Sequence, residues 1–200
     1  MIIKGSFTLL GIFIFLFLFW RRLKEDYTPN QIFGTAFYAL FGALGANLIS
    51  IYFLPSWWFW LDLFGALLGV TLGILRFHLR VFETLEALVL ATLPWFGLIL
   101  LSDFIETTGV SSGVGATVIL VLVGLFYFLD THYKGFTWYK SGRVGFSGLT
   151  VAGAFFLIRA AVAATSVNVL SFVNGKEAVL SGLLAFVSFL AVYNLAKEKT

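Results

Sequence analysis

The chain has 200 residues, of which 60% are hydrophobic and 12% charged, with a mean hydropathy of +0.98 and a formal net charge of +3. A soluble domain averages roughly 25% charged residues, so this composition excludes an ordinary water-soluble fold and implies one integral membrane domain over residues 1–200. So small and scattered a positive charge gives no patch for a nucleic-acid partner. The absence of cysteine excludes disulfides, thiolate metal ligands, a Cys nucleophile and lipid modification of the chain itself.

The first apolar run, Ser6 to Trp20, follows Lys4 and stops at the basic cluster Arg21, Arg22 and Lys24. It lacks a small-residue cleavage site, so a retained anchor is expected and not a signal peptide. A second helix starts at Thr28-Pro29, an N-cap followed by proline at the first helical position, and runs to about Phe53. Pro55 and Trp57, Trp58 and Trp60 form a turn and an interfacial aromatic belt.

The third helix, Trp58 to Phe77, carries Gly65, Gly69 and Gly73 at four-residue spacing, a close-packing face that includes Asp62. The fourth, Phe82 to Ser102, opens on Glu83 and Glu86, where carboxylates suit the positive end of the helix dipole, and should kink near Pro94. Asp103 to Gly115 reads as a polar loop. The fifth helix, Ala116 to Leu129, is short for a span of roughly 20 residues, so its start is expected inside that loop. His78 and His132 fall in predicted loops, apart from each other and from carboxylates of metal-ligand spacing, so no metal site and no cofactor is expected.

The sixth run, Val144 to Thr165, contains Arg159, the basic residue least able to reach a membrane edge. A guanidinium in hydrocarbon costs roughly 2.5–3.5 kcal/mol on insertion scales unless compensated. Its helical stripe reads Gly145, Gly148, Ala152, Phe156, Arg159, Ala163, mostly small residues, which should turn it into a bundle. The seventh helix runs from Glu177 to Leu195. With the N-terminus outside and the C-terminus cytoplasmic, every basic residue other than Lys4, Lys176 and Arg159 lies on the cytoplasmic side, the bias that orients a membrane protein.

This all-α bundle of seven transmembrane helices places Asp62 roughly 6 Å, Arg159 roughly 8–9 Å and Asn47 roughly 9 Å from the outer helix ends at about 1.5 Å per residue, with Asp103 at the outer mouth. An Asp62–Arg159 ion pair is therefore expected. Such a layer can bind a phospholipid headgroup through Arg159 and Asn47, since a guanidinium donates paired hydrogen bonds to phosphate oxygens. It can equally gate a solute or ion path, as in a transporter or channel subunit, or only fix helix packing in a membrane-complex scaffold.

Several segments resemble the prolipoprotein diacylglyceryl transferase family, seven-span enzymes that move diacylglycerol from phosphatidylglycerol to a lipoprotein precursor. Phe19-Trp20-Arg21-Arg22 is similar to the family's first helix end, and Gly45-Ala46-Asn47-Leu48 to its Gly-Ala-Arg-Leu segment. Leu63-Phe64-Gly65-Ala66-Leu67-Leu68-Gly69 and Ser141-Gly142-Arg143-Val144-Gly145-Phe146 are similar to two later family segments. The chain departs from the family at its chemistry. Asn47 stands for an Arg, Phe64 for a His, and Leu100-Leu101-Ser102-Asp103-Phe104 for a Gly-Arg-x-Gly-Asn loop, while Phe156 aligns with a helix-six Arg, one turn before Arg159. The resemblance implies a divergent member in the bacterial cytoplasmic (inner) membrane that handles phospholipid from the outer leaflet and acts on a lipoprotein precursor. Arg159 would be the cation that stabilises the leaving phosphate, and Asp103 or Asp62 the base.

Overall fold

A computed structural model describes residues 2–136, 138–139, 144–165 and 171–197. Its seven long helices are α1 (Ile2–Leu23), α2 (Pro29–Phe53), α3 (Trp58–Phe77), α4 (Val81–Thr107), α5 (Val110–His132), α6 (Phe146–Thr165) and α7 (Glu177–Lys197). All seven are long and apolar enough to cross a membrane. Single 3₁₀ turns lie at Pro55–Trp57, Tyr133–Gly135 and Asn174–Lys176. The broad exposed apolar face of α2, including Phe41, Leu44, Tyr52 and Phe53, would be an aggregation surface in water and is an ordinary lipid contact in a bilayer.

Local chemistry sets the helix ends. Thr28 and Gln31 form a capping box at the start of α2, with the Thr28 N–H donating to Gln31 Oε1 at 3.0 Å and Pro29 filling the first helical position. His78 ends α3 in the left-handed region at φ 56°, one of the residue types that visit it more readily. Thr108, at φ 53°, and Gly109 alone connect α4 to α5.

The polar loop expected from Asp103 to Gly115 is therefore helix on both sides of a two-residue turn. Asp103, Thr107 and Ser112 satisfy one another or the helix backbone and do not compete with the helices. Thr107 Oγ1 donates to the Asp103 carbonyl at 2.8 Å, and Ser112 Oγ donates to Asp103 Oδ2 at 2.5 Å. Gly113 and Gly115 seat the Phe104 and Leu100 side chains. His132 likewise belongs to the last turn of α5 and not to a loop. Helix α4 continues on both sides of Pro94.

Two packing units follow from the side chains. Helices α2 and α3 approach backbone to backbone: a Cβ on Gly42 would strike the Gly65 carbonyl, one on Gly69 the Tyr38 carbonyl, and one on Gly73 would come within 2.6 Å of Thr35. Against the other helices this hairpin packs sparsely. Helix α1 lies along α4, where Phe15 stacks on Phe19 at 5.7 Å and meets Trp95 edge-on at 5.9 Å. Helices α4, α5, α6 and α7 share a core that includes Leu93, Ile119, Phe126, Phe155 and Val192.

At the end of the bundle holding the C-terminus of α1, Glu86 is fully buried and not an interfacial helix start. Its Oε2 accepts from Arg22 at 3.0 Å and from the Gly145 N–H at 3.0 Å, while Arg22 also reaches Asp130 at 3.5 Å. Helix α4 begins at Val81, so Glu83 lies in the first turn and Glu86 one turn deeper, facing α1 and α6. Glu83 stays at the rim, where it accepts from the Tyr27 hydroxyl at 2.7 Å and pairs with the exposed Arg80 at 2.9 Å. Burial, reinforced by the hydrogen bond to Glu83, raises the Tyr27 phenol above its ordinary value, which keeps it a neutral donor.

Replacing Gly69 by Val should destabilise the protein by about 1–3 kcal/mol or more through backbone overpacking, read as a lowered thermal midpoint in detergent. A neighbouring Leu68→Val change, on a side chain that is 68% exposed, should leave the midpoint within the roughly 0.5 kcal/mol typical of surface substitutions.

Candidate functional site

The stripe that carries Arg159 is buried as expected, from Gly145 through Phe156, with only Ala163 half-buried. Arg159 itself is 5% exposed. Its partner is Glu177, at the first turn of α7, and not Asp62. Nε and Nη2 donate to Glu177 Oε1 at 3.0 and 2.6 Å; Nη1 donates to Ser171 Oγ at 2.8 Å, and Nη2 to the Ser171 carbonyl at 3.0 Å.

Glu177 is itself fully buried and saturated. Trp60 Nε1 donates to its Oε2 at 2.8 Å, the Val173 N–H to Oε2 at 3.3 Å, and Ser181 Oγ to Oε1 at 2.8 Å. The guanidinium carbon lies 3.8 Å from the Phe59 ring centroid and 4.9 Å from that of Phe172. A buried pair is favourable only when its geometry is good and its remaining lone pairs and protons are used, and both conditions hold here. The cluster ties α3, α6, α7 and the segment from Ser171 to Val173 into one knot. It presents no free donor fork to a phosphate.

Sequence reasoning named Glu177 only as the residue at which the seventh helix starts and gave its carboxylate no role. Glu177 is nonetheless the first acidic residue after Arg159 in the chain, at the start of the next helix. Consecutive helices usually pack together, so the need to compensate Arg159 was the signal that could have found it.

The remaining residues of the expected polar layer do meet. Asn47 Nδ2 donates to Asp62 Oδ2 at 3.0 Å, which ties α2 to α3. Asp62 Oδ1 is buried without a hydrogen-bond partner among the described residues. Both side chains line a cavity of about 520 Å³ between α1, α2, α3 and α4, and Ser102 and Asp103 line it as well. Asp103 is held by Ser112 and Thr107.

A second cavity of about 470 Å³ adjoins the first, with Ala43, Trp58, Asp62, Trp95 and Ile99 common to both. It lies between α3, α4, α6 and α7, and its other lining is almost wholly apolar, including Leu63, Leu93, Phe96, Phe155 and Leu184. Both are open clefts along the sparsely packed edge of the α2–α3 hairpin. Arg159 lines neither, so the structure unites Asn47, Asp62 and Asp103 and leaves Arg159 in a separate knot. Among the described residues no group of three His, Asp or Glu side chains is placed to hold a metal ion.

Changing Arg159 to Met or Glu177 to Gln should each cost about 3–5 kcal/mol by stranding a buried charge or its donors. The double variant should lose less than the sum of the two by at least about 1 kcal/mol. Denaturation in mixed micelles measures the cycle, and additive losses would refute the coupling.

Comparison of the chain with protein-family profiles, with curated proteins and with solved structures finds no match, so its function is argued from the geometry of this bundle.

Proposed function

We propose that this protein is an integral membrane protein that binds a lipid-like amphiphile in the cleft beside the α2–α3 hairpin. The observation that carries the reading is the distribution of polarity along two adjoining cavities. Asn47, Asp62, Ser102 and Asp103 converge in one, and the other continues as an apolar slot of the kind that takes hydrocarbon. Phe41 and Leu44, which line the first cavity, are also exposed on the outer face of α2. A ligand could thus enter sideways from the bilayer.

The basic bias of the sequence orients the bundle in this proposal with its N-terminus outside and its C-terminus cytoplasmic. The polar cavity then belongs to the outer leaflet, because Asn47 near the end of α2, Asp62 near the start of α3 and Asp103 near the end of α4 share that end of the bundle.

The resemblance to diacylglyceryl transferases supports the lipid-handling part of this reading. Acyl-glycerol transfer needs a base and a phosphate-stabilising cation facing one bound substrate. Among the described residues the lining of these cavities supplies carboxylates and no Arg, Lys or His. The proposal is therefore lipid binding, without the transferase reaction.

A lipid carrying a photoreactive acyl chain, reconstituted with the purified protein, should label residues that line the two cavities. Ala43, at their junction, can be enlarged to block them. Ala43→Trp should reduce that labelling by about tenfold, equivalent to about 1.4 kcal/mol of binding, with the thermal midpoint verifying the fold. Labelling spread evenly over the outer helix faces, or unaffected by Ala43→Trp, would overturn the proposal.

A further inference from the structure

Resting on the lipid-binding reading, we infer that the polar cavity selects an amphiphile with a cationic amine head, and not an anionic phosphate. The inference begins with charge. Asp62 and Asp103 line the same cavity, and neither has an ion-pair partner among the described residues. Asp62 is hydrogen-bonded at one oxygen only, by a neutral amide, and its other oxygen is buried without a partner. The contrast with the rest of the bundle is direct: buried Glu86 has Arg22 and buried Glu177 has Arg159. A carboxylate removed from water and left without a cation is heavily penalised, so this cavity is where a positive charge from outside the chain would be compensated.

The second observation is the aromatic wall. Phe41, Trp58 and Trp95 line the cavity with the two carboxylates. Ring faces attract ammonium groups, and aromatic residues combined with acidic ones are a recurring means of recognising amines. Among the described residues a phosphate would meet two like charges and no Arg, Lys or His. A cavity of about 520 Å³ is of the size that holds a small ligand, and the adjoining apolar cavity offers room for the attached chain.

The test uses three probes with the same hydrocarbon chain and different heads: hexadecylamine, hexadecanol and hexadecyl phosphate. Each is titrated against the photoreactive lipid on the purified full chain in micelles at neutral pH. Hexadecylamine should displace the label at a concentration at least about tenfold below hexadecanol, a difference of one decade in affinity, with hexadecyl phosphate the weakest. The isosteric Asp62→Asn should collapse the advantage of the amine over the alcohol, and Asp103→Asn should reduce it; thermal midpoints report whether each variant is folded. Hexadecanol or hexadecyl phosphate equal to or better than the amine on a labelled cleft would overturn the inference and leave lipid binding standing. An amine advantage that survives in folded Asp62→Asn would also overturn it. Failure of the cleft to label in the unmodified protein would overturn both readings.

Discussion

Compensation of buried charge organises this bundle. In hydrocarbon a guanidinium or carboxylate must find its partners within the protein, and among the described residues that constraint is met twice by buried ion pairs between helices, one between neighbours in the chain and one between α1 and α4. Arg159 and Glu177 bind α6 to α7 and, through Trp60, to α3. Arg22 and Glu86 bind α1 to α4, and the Gly145 N–H adds the approach to α6. The first contact lies toward the N-terminus of α7 and the second toward the C-terminus of α1, so each fixes the bundle near a different end. Between them the packing is apolar and depends on side-chain shape.

The cavities arise where that packing is unequal. Glycines draw α2 and α3 together so closely that little side-chain surface remains between them. The hairpin meets the rest of the bundle along an edge filled by large aromatic and aliphatic side chains that do not interdigitate completely. Asp62 stands on that edge and is the point at which a polar space gives way to an apolar one. The same residue is thus part of the hairpin, through Asn47, and part of the wall that a guest would touch.

Much of the fold was legible in the sequence because bilayer thickness imposes helix length, and the bounds of α2 and α3 followed from a proline-led cap, a tryptophan turn and a basic stop. The turn between α4 and α5 was less legible. Serine, threonine and glycine from Asp103 to Gly115 carry loop propensity, whereas here the Thr107 and Ser112 hydroxyls find a carbonyl and a carboxylate on the helices themselves. The site was half legible. Depth along each helix brought Asn47, Asp62 and Asp103 to one level, but depth carries no azimuth, and azimuth decides that Arg159 faces α7 and not the cavity. Glu86 was hidden because an acid near a helix start has an adequate local explanation, which says nothing about what the tertiary fold brings to meet it, and Glu177 because a residue that marks a helix boundary was asked for nothing more.

The glycine contacts of α2 and α3 also govern how the cleft could change width. Because the Gly42–Gly65 and Gly69–Tyr38 approaches leave no room for even a methyl group, relative sliding of the two helices would drive backbone into backbone. Widening would then have to displace the pair together, like a single hinged panel swinging about the short connections at its base. The swing would be limited at the start of α3, where Trp58 and Phe59 pack on Phe96 and Trp60 is held by Glu177, and the panel's own stiffness would be set by the seam inside it.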